Sequence, residues 1–427
     1  MKALRASLFA LFAASFGVAC TTLLGVDDLP GLTRGLDAGD AHADSPGPDA
    51  AAGSLDLSFG DGGVVEIRVP LSVGGASVLS DGDELVVLFA AGDGDLMLVR
   101  CSRDGVCHAS PPTVVMKGAG IGGFAVREPG GNAILVHASA DAPNYQVVRY
   151  LLRVARDGGV ETLMREQSSP NSSSGELVPI ERPLRILLVR SSDLPDGGGE
   201  LRQRAMLLDG GPDPRFGTNG TVASTYSWEP IVVGASARDN GGIVVLASGQ
   251  TSPTVWLGFR ADGHADTNFG VDGGMGSSSE LSPTVLLEDD GGYVMGGVRG
   301  VSRAVLARIT RDGHLDSSRW DQGIFAFPTV IVSNEDPYLT SIRALGAQPN
   351  GSILALGVAH RLSGPPVDVL TRVGPEGLDP HFGRKGFVIL GPQGSSGSRS
   401  VAVQSDGKAV VALTYDGSLR LTRYLAE

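Results

Sequence analysis

The chain has 427 residues, of which 62 are glycine, 19% are charged and 42% are hydrophobic. This composition excludes a long coiled coil and a wholly disordered chain, because a coiled coil is richer in charge and a disordered chain is poorer in apolar residues. The formal net charge of −13 makes nucleic acid and anionic lipid surfaces unfavourable partners.

Residues 1–19 have the pattern of an export signal. Lys2 and Arg5 give a basic start, and residues 8–19 form an apolar run that is too short to cross a bilayer. The run ends in Gly-Val-Ala-Cys at residues 17–20, which resembles the lipobox of bacterial lipoproteins. The resemblance implies lipidation at Cys20 and, because Thr21 rather than Asp follows, an outer-membrane destination. An ordinary secretory signal that happens to end near a cysteine is the alternative.

Residues 20–53 are expected to form a flexible tether after the lipidated cysteine. The segment has no sustained apolar period, so it cannot bury enough surface to offset the entropy lost on ordering. It is rich in aspartate, with Asp27, Asp28, Asp37, Asp40, Asp44 and Asp49. Its expected role is to hold the folded part of the protein away from the lipid surface.

An internal repeat occupies residues 55–427. The motif Leu-Asp-x-x-Phe-Gly-x-x-Gly begins at Leu55 and returns near residues 212, 265 and 378, with a degraded copy near residue 315. Between the copies, Asp-Gly or Asn-Gly turns separate short runs of Val, Leu and Ile, which is typical of antiparallel hairpins. Counted by these landmarks, the region holds seven units of ~53 residues.

Each unit can supply about four short strands. A sheet this small cannot bury both faces alone, so neighbouring sheets must stack, and closing the stack into a ring protects its ends. The predicted fold is therefore all-β: a single β-propeller, most consistent with seven four-stranded blades, preceded by the signal peptide and tether. Because the Phe-Gly motif is eroded in the second and third units, six or eight blades remain open.

The last unit matches a known pattern most completely. Leu378 to Gly386 is followed by Gln-x-Asp-Gly-Lys at residues 404–408 and by Leu-Thr-Arg-Tyr at residues 421–424. This order resembles the bacterial delta-60 repeat, a β-propeller family. The resemblance implies the architecture and lends little chemistry.

The repeated aspartate, aromatic residue and glycine are predicted to be structural. The aromatic side chain is expected to pack between blades, the glycine to form the turn, and the aspartate to bind turn backbone. The residues concerned are Asp56, Phe59, Gly60, Asp213, Phe216, Gly217, Asp266, Phe269, Gly270, Asp316, Trp320, Asp379, Phe382 and Gly383. Calcium binding by pairs such as Asp81 with Asp83, or Asp93 with Asp95, is the sharper alternative, although no full calcium-loop pattern follows either pair.

Cys101 and Cys107 flank a predicted hairpin turn. A cross-strand disulfide is expected between them because the cell envelope is oxidising. The alternative is two free thiols on a surface hairpin.

The sequence predicts no catalytic, cofactor or metal site. Residues 118–123 fit Gly-x-Gly-x-x-Gly, but a strand rather than a helix is expected after them, so a dinucleotide site is not predicted. No nucleophile elbow, phosphate loop or metal-type histidine pair is present in the sequence.

These observations favour a lipid-anchored envelope protein, periplasmic or surface-facing, in which the propeller binds or scaffolds a partner. That partner is an envelope protein or a glycan, with no nucleic acid and with the membrane reached through the lipid alone. A structural or adhesion component of the surface is the first alternative. An envelope enzyme with a site in the propeller's mouth is the second, and it would need ionisable residues from several blades to converge there.

Overall fold

The computed structural model describes residues 51–426, except for residues 69–72, 93, 108–111, 120–122, 143–145, 169–174, 196–197, 250–253, 272, 277–280, 290–291, 301–302, 329–337, 361–363, 393–398 and 416–417. Every regular element in the described residues is a β-strand. Within the same residues, no helix has the length and apolarity that a membrane crossing requires. The predicted signal peptide, Cys20 and most of the predicted tether lie outside the described residues.

The strands form seven antiparallel sheets, called blades 1 to 7 in chain order. Blade 1 contains β2 (Val73–Asp81), β3 (Glu84–Ala91), β4 (Leu96–Ser102) and β5 (Thr113–Met116). Blade 2 contains β6 (Gly123–Arg127), β7 (Ile134–Ala142), β8 (Gln146–Val154) and β9 (Val160–Ser168). Blade 3 contains β10 (Glu176–Glu181), β11 (Leu184–Asp193), β12 (Gly199–Met206) and β13 (Thr221–Tyr226).

The next three blades repeat this arrangement. Blade 4 contains β14 (Ile231–Ala237), β15 (Ile243–Ser248), β16 (Val255–Phe259) and β17 (Gly274–Gly276). Blade 5 contains β18 (Leu281–Asp289), β19 (Gly292–Arg299), β20 (Arg303–Thr310) and β21 (Ile324–Ala326). Blade 6 contains β22 (Tyr338–Ala347), β23 (Ile353–His360), β24 (Val367–Gly374), the short β25 (Gly377–Leu378) and β26 (Phe387–Pro392).

Blade 7 joins the two ends of the described chain. Three of its strands come from the C-terminal end, β27 (Arg399–Val403), β28 (Ala409–Tyr415) and β29 (Ser418–Tyr424), and the fourth is β1 (Val64–Arg68). Strand β1 pairs antiparallel with β29, with Val64 opposite Thr422. The first strands of the blades contact one another in the order β2, β6, β10, β14, β18, β22, β27 and back to β2. The prediction of a closed seven-bladed β-propeller is therefore confirmed.

The core is divided among the junctions between blades. Buried hydrophobic side chains form seven clusters, and each cluster is built from two neighbouring blades. The cluster between blades 7 and 1 packs Leu419 and Leu421 of β29 against Val87 and Phe89 of β3. Burial of this apolar surface is the main force that holds the ring together.

The propeller begins earlier than the sequence predicts. The backbone N–H of Gly53 donates to the carbonyl of Leu425 at 3.0 Å, and the N–H of Leu425 donates to the carbonyl of Ser54 at 2.9 Å. Gly53, predicted as tether, thus pairs with the end of blade 7, and the carbonyl of Ala52 accepts from the N–H of Gly383 in blade 6 at 2.8 Å. The segment is held because its backbone groups pair with both blades.

Candidate functional site

The repeated aspartate closes a turn between the third and fourth strands of a blade. The side chain of Asp56 accepts a hydrogen bond from the backbone N–H of Ser58 at 3.1 Å. This local bond fixes the backbone in a turn, as short polar side chains commonly do. The same bond, to the residue two positions later, is made by Asp213, Asp266, Asp316 and Asp379.

An arginine pairs with each of these aspartates. Nε of Arg423 lies 2.9 Å from Oδ2 of Asp56, and both side chains are buried. Arg308 and Arg372 bind Asp316 and Asp379 from the same place in their blades, the third strand. In blade 3 the arginine is Arg185 on β11, and in blade 4 it is Arg238, just after β14. The sequence predicts no role for these arginines, although all five face the same kind of carboxylate.

The repeated phenylalanine packs beneath the arginine and against the next blade. Phe59 is 0% exposed, and the guanidinium carbon of Arg423 lies 4.8 Å from its ring centre. The turn Gly105 of blade 1 packs against this ring so closely that an added Cβ would lie 2.9 Å from Cε2 of Phe59. Arg423 also donates to the carbonyl of Arg103 in blade 1 at 2.6 Å. Aspartate, arginine, phenylalanine and turn glycine together form what we call the interblade cluster.

The interblade cluster recurs at three further junctions, where the aromatic residue is Phe216, Phe269 or Phe382. Each ring is at most 1% exposed. The turn glycines that meet them are Gly263, Gly313 and Gly53. The glycine after each phenylalanine has a positive φ, between 51° and 60° for Gly60, Gly217, Gly270 and Gly383. At these four junctions the phenylalanine thus lies between two blades and the following glycine lies in the turn.

Four of the repeat aspartates are held in the charged form. Burial would raise the pKa of Asp56, but hydrogen bonds from Lys408 and Ser58 and the charge of Arg423 lower it to about 2. The pKa values of Asp266, Asp316 and Asp379 are also lowered, since hydrogen bonds and arginine charges outweigh the effect of burial at each position. These aspartates therefore bind backbone and arginine as anions at neutral pH.

Blade 5 departs from this pattern. Arg319 occupies the place of the phenylalanine, and Trp320 occupies the place of the glycine with φ of 56°. Trp320 is therefore not the buried repeat aromatic that the sequence indicates, because its side chain is only half-buried. A tryptophan in the left-handed region of backbone conformation is uncommon, and it costs conformational energy that a glycine would not.

The facing turn of blade 6 also departs from the repeat. Strands β24 and β25 pair through Gly374 and Gly377, which leaves Pro375 and Glu376 as a two-residue turn. Nε1 of Trp320 donates to the carbonyl of Gly374 at 3.0 Å. Arg319 donates to the carbonyl of Gly351, also in blade 6, at 3.1 Å. Both sides of the junction between blades 5 and 6 thus differ from the interblade clusters elsewhere.

A pocket opens at this altered junction. Its volume is about 780 Å³, and it is lined by residues of the blade 5 turn, the outer strand β21 and the two-residue turn of blade 6. Trp320 and Phe325 form its aromatic wall, with ring centres 5.9 Å apart. The size is that of small-molecule sites. We call this cavity the junction pocket.

The polar lining of the junction pocket carries both signs of charge. Arg299 and Arg303 supply guanidinium groups, and Asp321 and Glu376 supply carboxylates. Nε of Arg303 donates to the carbonyl of Phe327 at 3.2 Å, which anchors the base of that guanidinium. Within the described residues, neither Asp321 nor Glu376 has an ion-pair partner. The pocket thus presents hydrogen-bond donors and acceptors beside an aromatic surface.

A second polar group lies buried between blades 2 and 3. His137 and Arg149 of blade 2 and Arg190 of blade 3 are at most 8% exposed, and Arg190 forms an ion pair with Glu166. Burial and the charges of Arg149 and Arg190 lower the pKa of His137 to about 4. The histidine is therefore neutral at pH 7. This group is enclosed by the blade junction, whereas the junction pocket is open to solvent.

The remaining predicted sites are placed as follows. Cys101 and Cys107 are joined by a disulfide with an S–S distance of 2.11 Å. Asp81 forms an ion pair with Arg127, and the side chain of Asp95 accepts a hydrogen bond from the N–H of Gly118. Asp93 lies outside the described residues. In the part of the chain that the structure describes, no three His, Cys, Asp or Glu side chains are grouped as a metal site. The Gly-x-Gly-x-x-Gly stretch leads into strand β6 and not into a helix.

Comparisons with known proteins bear on the fold. No protein-family model matches the sequence, and no curated protein matches it. Among solved structures, the chain is similar to a subtype N10 neuraminidase-like protein of A/little yellow-shouldered bat/Guatemala, with a TM-score of 0.41, 11% identity and coverage of 87% of this chain and 99% of that one.

Two further structures show the same level of similarity. The SapL1 lectin in complex with alpha methyl fucoside has a TM-score of 0.43 at 12% identity, with coverage of 76% of this chain and 97% of that one. The WD40 domain of SCAP from fission yeast has a TM-score of 0.41 at 9% identity, with coverage of 84% and 87%. At these identities the similarity concerns the fold alone.

Proposed function

We propose that this chain is a lipoprotein of the cell envelope, anchored through Cys20, and that its propeller is a binding module with the junction pocket as its binding site. The observation that carries the binding role is the replacement of Phe-Gly by Arg319 and Trp320 at the junction between blades 5 and 6, beside an open pocket. Where Phe-Gly is kept, the phenylalanine fills the junction. At the junction between blades 5 and 6, Arg319 stands in place of the phenylalanine, and an open pocket lined by charged and aromatic side chains lies beside it.

The envelope location is supported by the amino-acid sequence. The apolar run before Cys20 resembles a lipoprotein signal, and Thr21 favours the outer membrane. The segment between Cys20 and the first described residue would let the propeller reach a partner away from the lipid. The acidic net charge of −13 disfavours nucleic acid, so an envelope protein or a glycan is the proposed kind of partner.

Membrane fractionation of cells that express the full chain tests the anchor. Cys20→Ala is expected to release the protein from the detergent-soluble membrane fraction, whereas Thr22→Ala, two residues away, should leave it there. Thr21→Asp is expected to move the protein from the outer to the inner membrane. Retention of the Cys20→Ala protein in the membrane would contradict the lipid anchor.

A further inference from the structure

The junction pocket also indicates the chemical class of its ligand. We infer that it binds a neutral saccharide, as one or a few sugar units of a larger glycan. This inference deepens the proposed function and depends on the propeller being a binding module. It is argued from the charge, the aromatic surface and the hydrogen-bonding groups of the pocket.

The charge of the pocket favours a neutral ligand. Its two arginines, Arg299 and Arg303, are balanced by Asp321 and Glu376. A site for a phosphate or sulfate group would need an excess of positive charge, and a site for an organic cation would need an excess of carboxylates. The balance instead suits a ligand that is polar without net charge.

The polar side chains suit neighbouring hydroxyl groups. A guanidinium group presents parallel N–H donors, and a carboxylate presents two acceptor oxygens. Two adjacent sugar hydroxyls can accept from the first and donate to the second, because each hydroxyl is both donor and acceptor. Nε of Arg303 donates to Phe327, and because the residue is exposed, its outer nitrogens are accessible to a ligand.

The aromatic wall suits the C–H face of a sugar ring. The indole N–H of Trp320 already donates to Gly374, so the residue offers its ring face to a ligand rather than its N–H. Phe325 supports it at 5.9 Å, and Phe325 in turn packs edge-on against the buried Phe327 at 4.9 Å. An aromatic residue held in this way supplies contact area at low entropic cost. A wholly apolar ligand would leave the surrounding charged groups without partners.

The backbone conformation at the pocket supports a functional site rather than a random loss of the repeat motif. A glycine at position 320 would avoid the left-handed strain that the tryptophan bears at φ of 56°. Gln322 lines the same pocket, but its positive φ of 51° is shared by Asn219 and Lys385 at the same place in other copies of the turn, so Trp320 is the departure from the repeat. Strain at a cavity is typical of ligand sites, where it is tolerated because the side chain is needed.

A glycan array provides the first test, with the mature protein solubilised in detergent and probed against neutral and anionic oligosaccharides. The soluble form of the best-bound glycan is then titrated by calorimetry. We expect neutral glycans to bind, and Arg303→Gln and Glu376→Gln to weaken binding about tenfold or more. Trp320→Gly should do the same. It restores the residue found in the other repeats, so the backbone turn is expected to remain folded.

Matched controls distinguish the pocket from general effects. Arg215→Gln changes an exposed arginine in the equivalent turn of blade 3, and Trp228→Leu changes another half-buried tryptophan. Both are expected to keep the affinity within about twofold of the parent. Recovery of the glycan chemically unchanged after long incubation supports binding without reaction, whereas cleavage would overturn it.

Several outcomes would overturn the saccharide inference. These are binding of anionic glycans alone, binding of peptides in place of glycans, no glycan binding, or equal affinity in the pocket variants and the controls. None of them depends on the membrane fractionation of the Cys20 variant. A propeller that stays anchored through Cys20 but binds no glycan would therefore contradict the ligand class and leave the envelope location standing.

Discussion

Replacement of Phe59 by alanine should strongly destabilise the junction between blades 7 and 1. The side chain is 0% exposed and lies against Gly105 and the guanidinium of Arg423. Removing a fully buried phenylalanine costs about 3–5 kcal/mol through lost transfer energy and the cavity left behind. Loss of the cation–π contact adds about 0.5–2 kcal/mol. We therefore expect a loss of about 4 kcal/mol or more in the free energy of unfolding.

Urea denaturation followed by circular dichroism measures this loss, and Leu57→Ala is the matched control. Leu57 lies two residues before Phe59 in the same turn but is 37% exposed, so its truncation should cost about 1 kcal/mol or less. Phe59→Leu should retain part of the packing and fall between the two. If Phe59→Ala and Leu57→Ala lower the free energy of unfolding equally, the aromatic ring does not hold the blades together.

Three further predictions concern the stability of the ring. Because the pKa values of Asp56, Asp266, Asp316 and Asp379 are lowered in the folded protein, their stabilising contribution is present above the unfolded pKa near 4 and is lost as the pH falls toward the folded values. The free energy of unfolding should thus decrease as the pH is lowered from about 5 to about 2, and it should decrease less steeply in the Asp56→Asn variant. A free energy of unfolding that does not depend on pH in this range would contradict the ion pairs. Gly105→Ala should lower the free energy of unfolding, measured by urea denaturation, by at least about 2 kcal/mol more than Gly62→Ala does. A Cβ at Gly105 would lie 2.7 Å from Val65, whereas one at Gly62 meets nothing within 4 Å. Equal losses would refute the close contact at Gly105. Reduction of the Cys101–Cys107 disulfide should lower the free energy of unfolding by up to about 2 kcal/mol. The reductant should have no effect on the Cys101→Ala/Cys107→Ala protein. If reduction leaves the free energy of unfolding of the parent protein unchanged, the bond does not stabilise the fold.

The length and number of the repeating units could be predicted from the sequence, because turns and apolar runs are local signals. Asp-Gly and Asn-Gly marked the hairpins, and runs such as residues 186–189 and 410–413 marked buried strands. Counting these runs gave seven units even where the Phe-Gly motif is absent, as in blades 1 and 2. Ring closure followed because small sheets must cover their faces and edges.

The phase of the repeat could not be predicted. The Leu-Asp-x-x-Phe-Gly motif lies between the third and fourth strands of a blade, so the first copy, at Leu55, and strand β1 complete blade 7. A periodic pattern defines the length of a unit but not its starting point. For the same reason, residues 51–53 were assigned to the tether, although Gly53 pairs with Leu425.

The arginines that pair with the repeat aspartates could not be predicted because only Arg308, Arg372 and Arg423 share a place, on the third strand of their blades. Arg423, Arg185 and Arg238 reach equivalent aspartates from the third, the second and just after the first strand of their blades. A long, flexible side chain lets the same ion pair form from different backbone positions. Arg423 stands in the Leu-Thr-Arg-Tyr pattern of the last unit. For the others the sequence signal is an arginine in or beside an apolar strand, which also fits a solvent-exposed edge.

The junction pocket was missed because Trp320 fitted the repeat as its aromatic residue. The distinguishing signal is an offset of one position: Arg-Trp at residues 319–320 stands where the other copies have Phe-Gly. A second signal is the turn at Pro375 and Glu376, which is one residue shorter than its counterpart in blade 5. Neither change indicates a pocket until both are seen to face each other across one junction.

Fluorine NMR of protein labelled with fluorotryptophan tests the central claim most directly, because the chain contains only Trp228, Trp256 and Trp320. Titration with the neutral glycan that binds best should shift the Trp320 signal and leave the signal of Trp256, which is 0% exposed, in place. The Trp228 signal should also stay unchanged. Saturating binding that shifts Trp228 or Trp256 while Trp320 stays still would show that the ligand site is not the junction between blades 5 and 6.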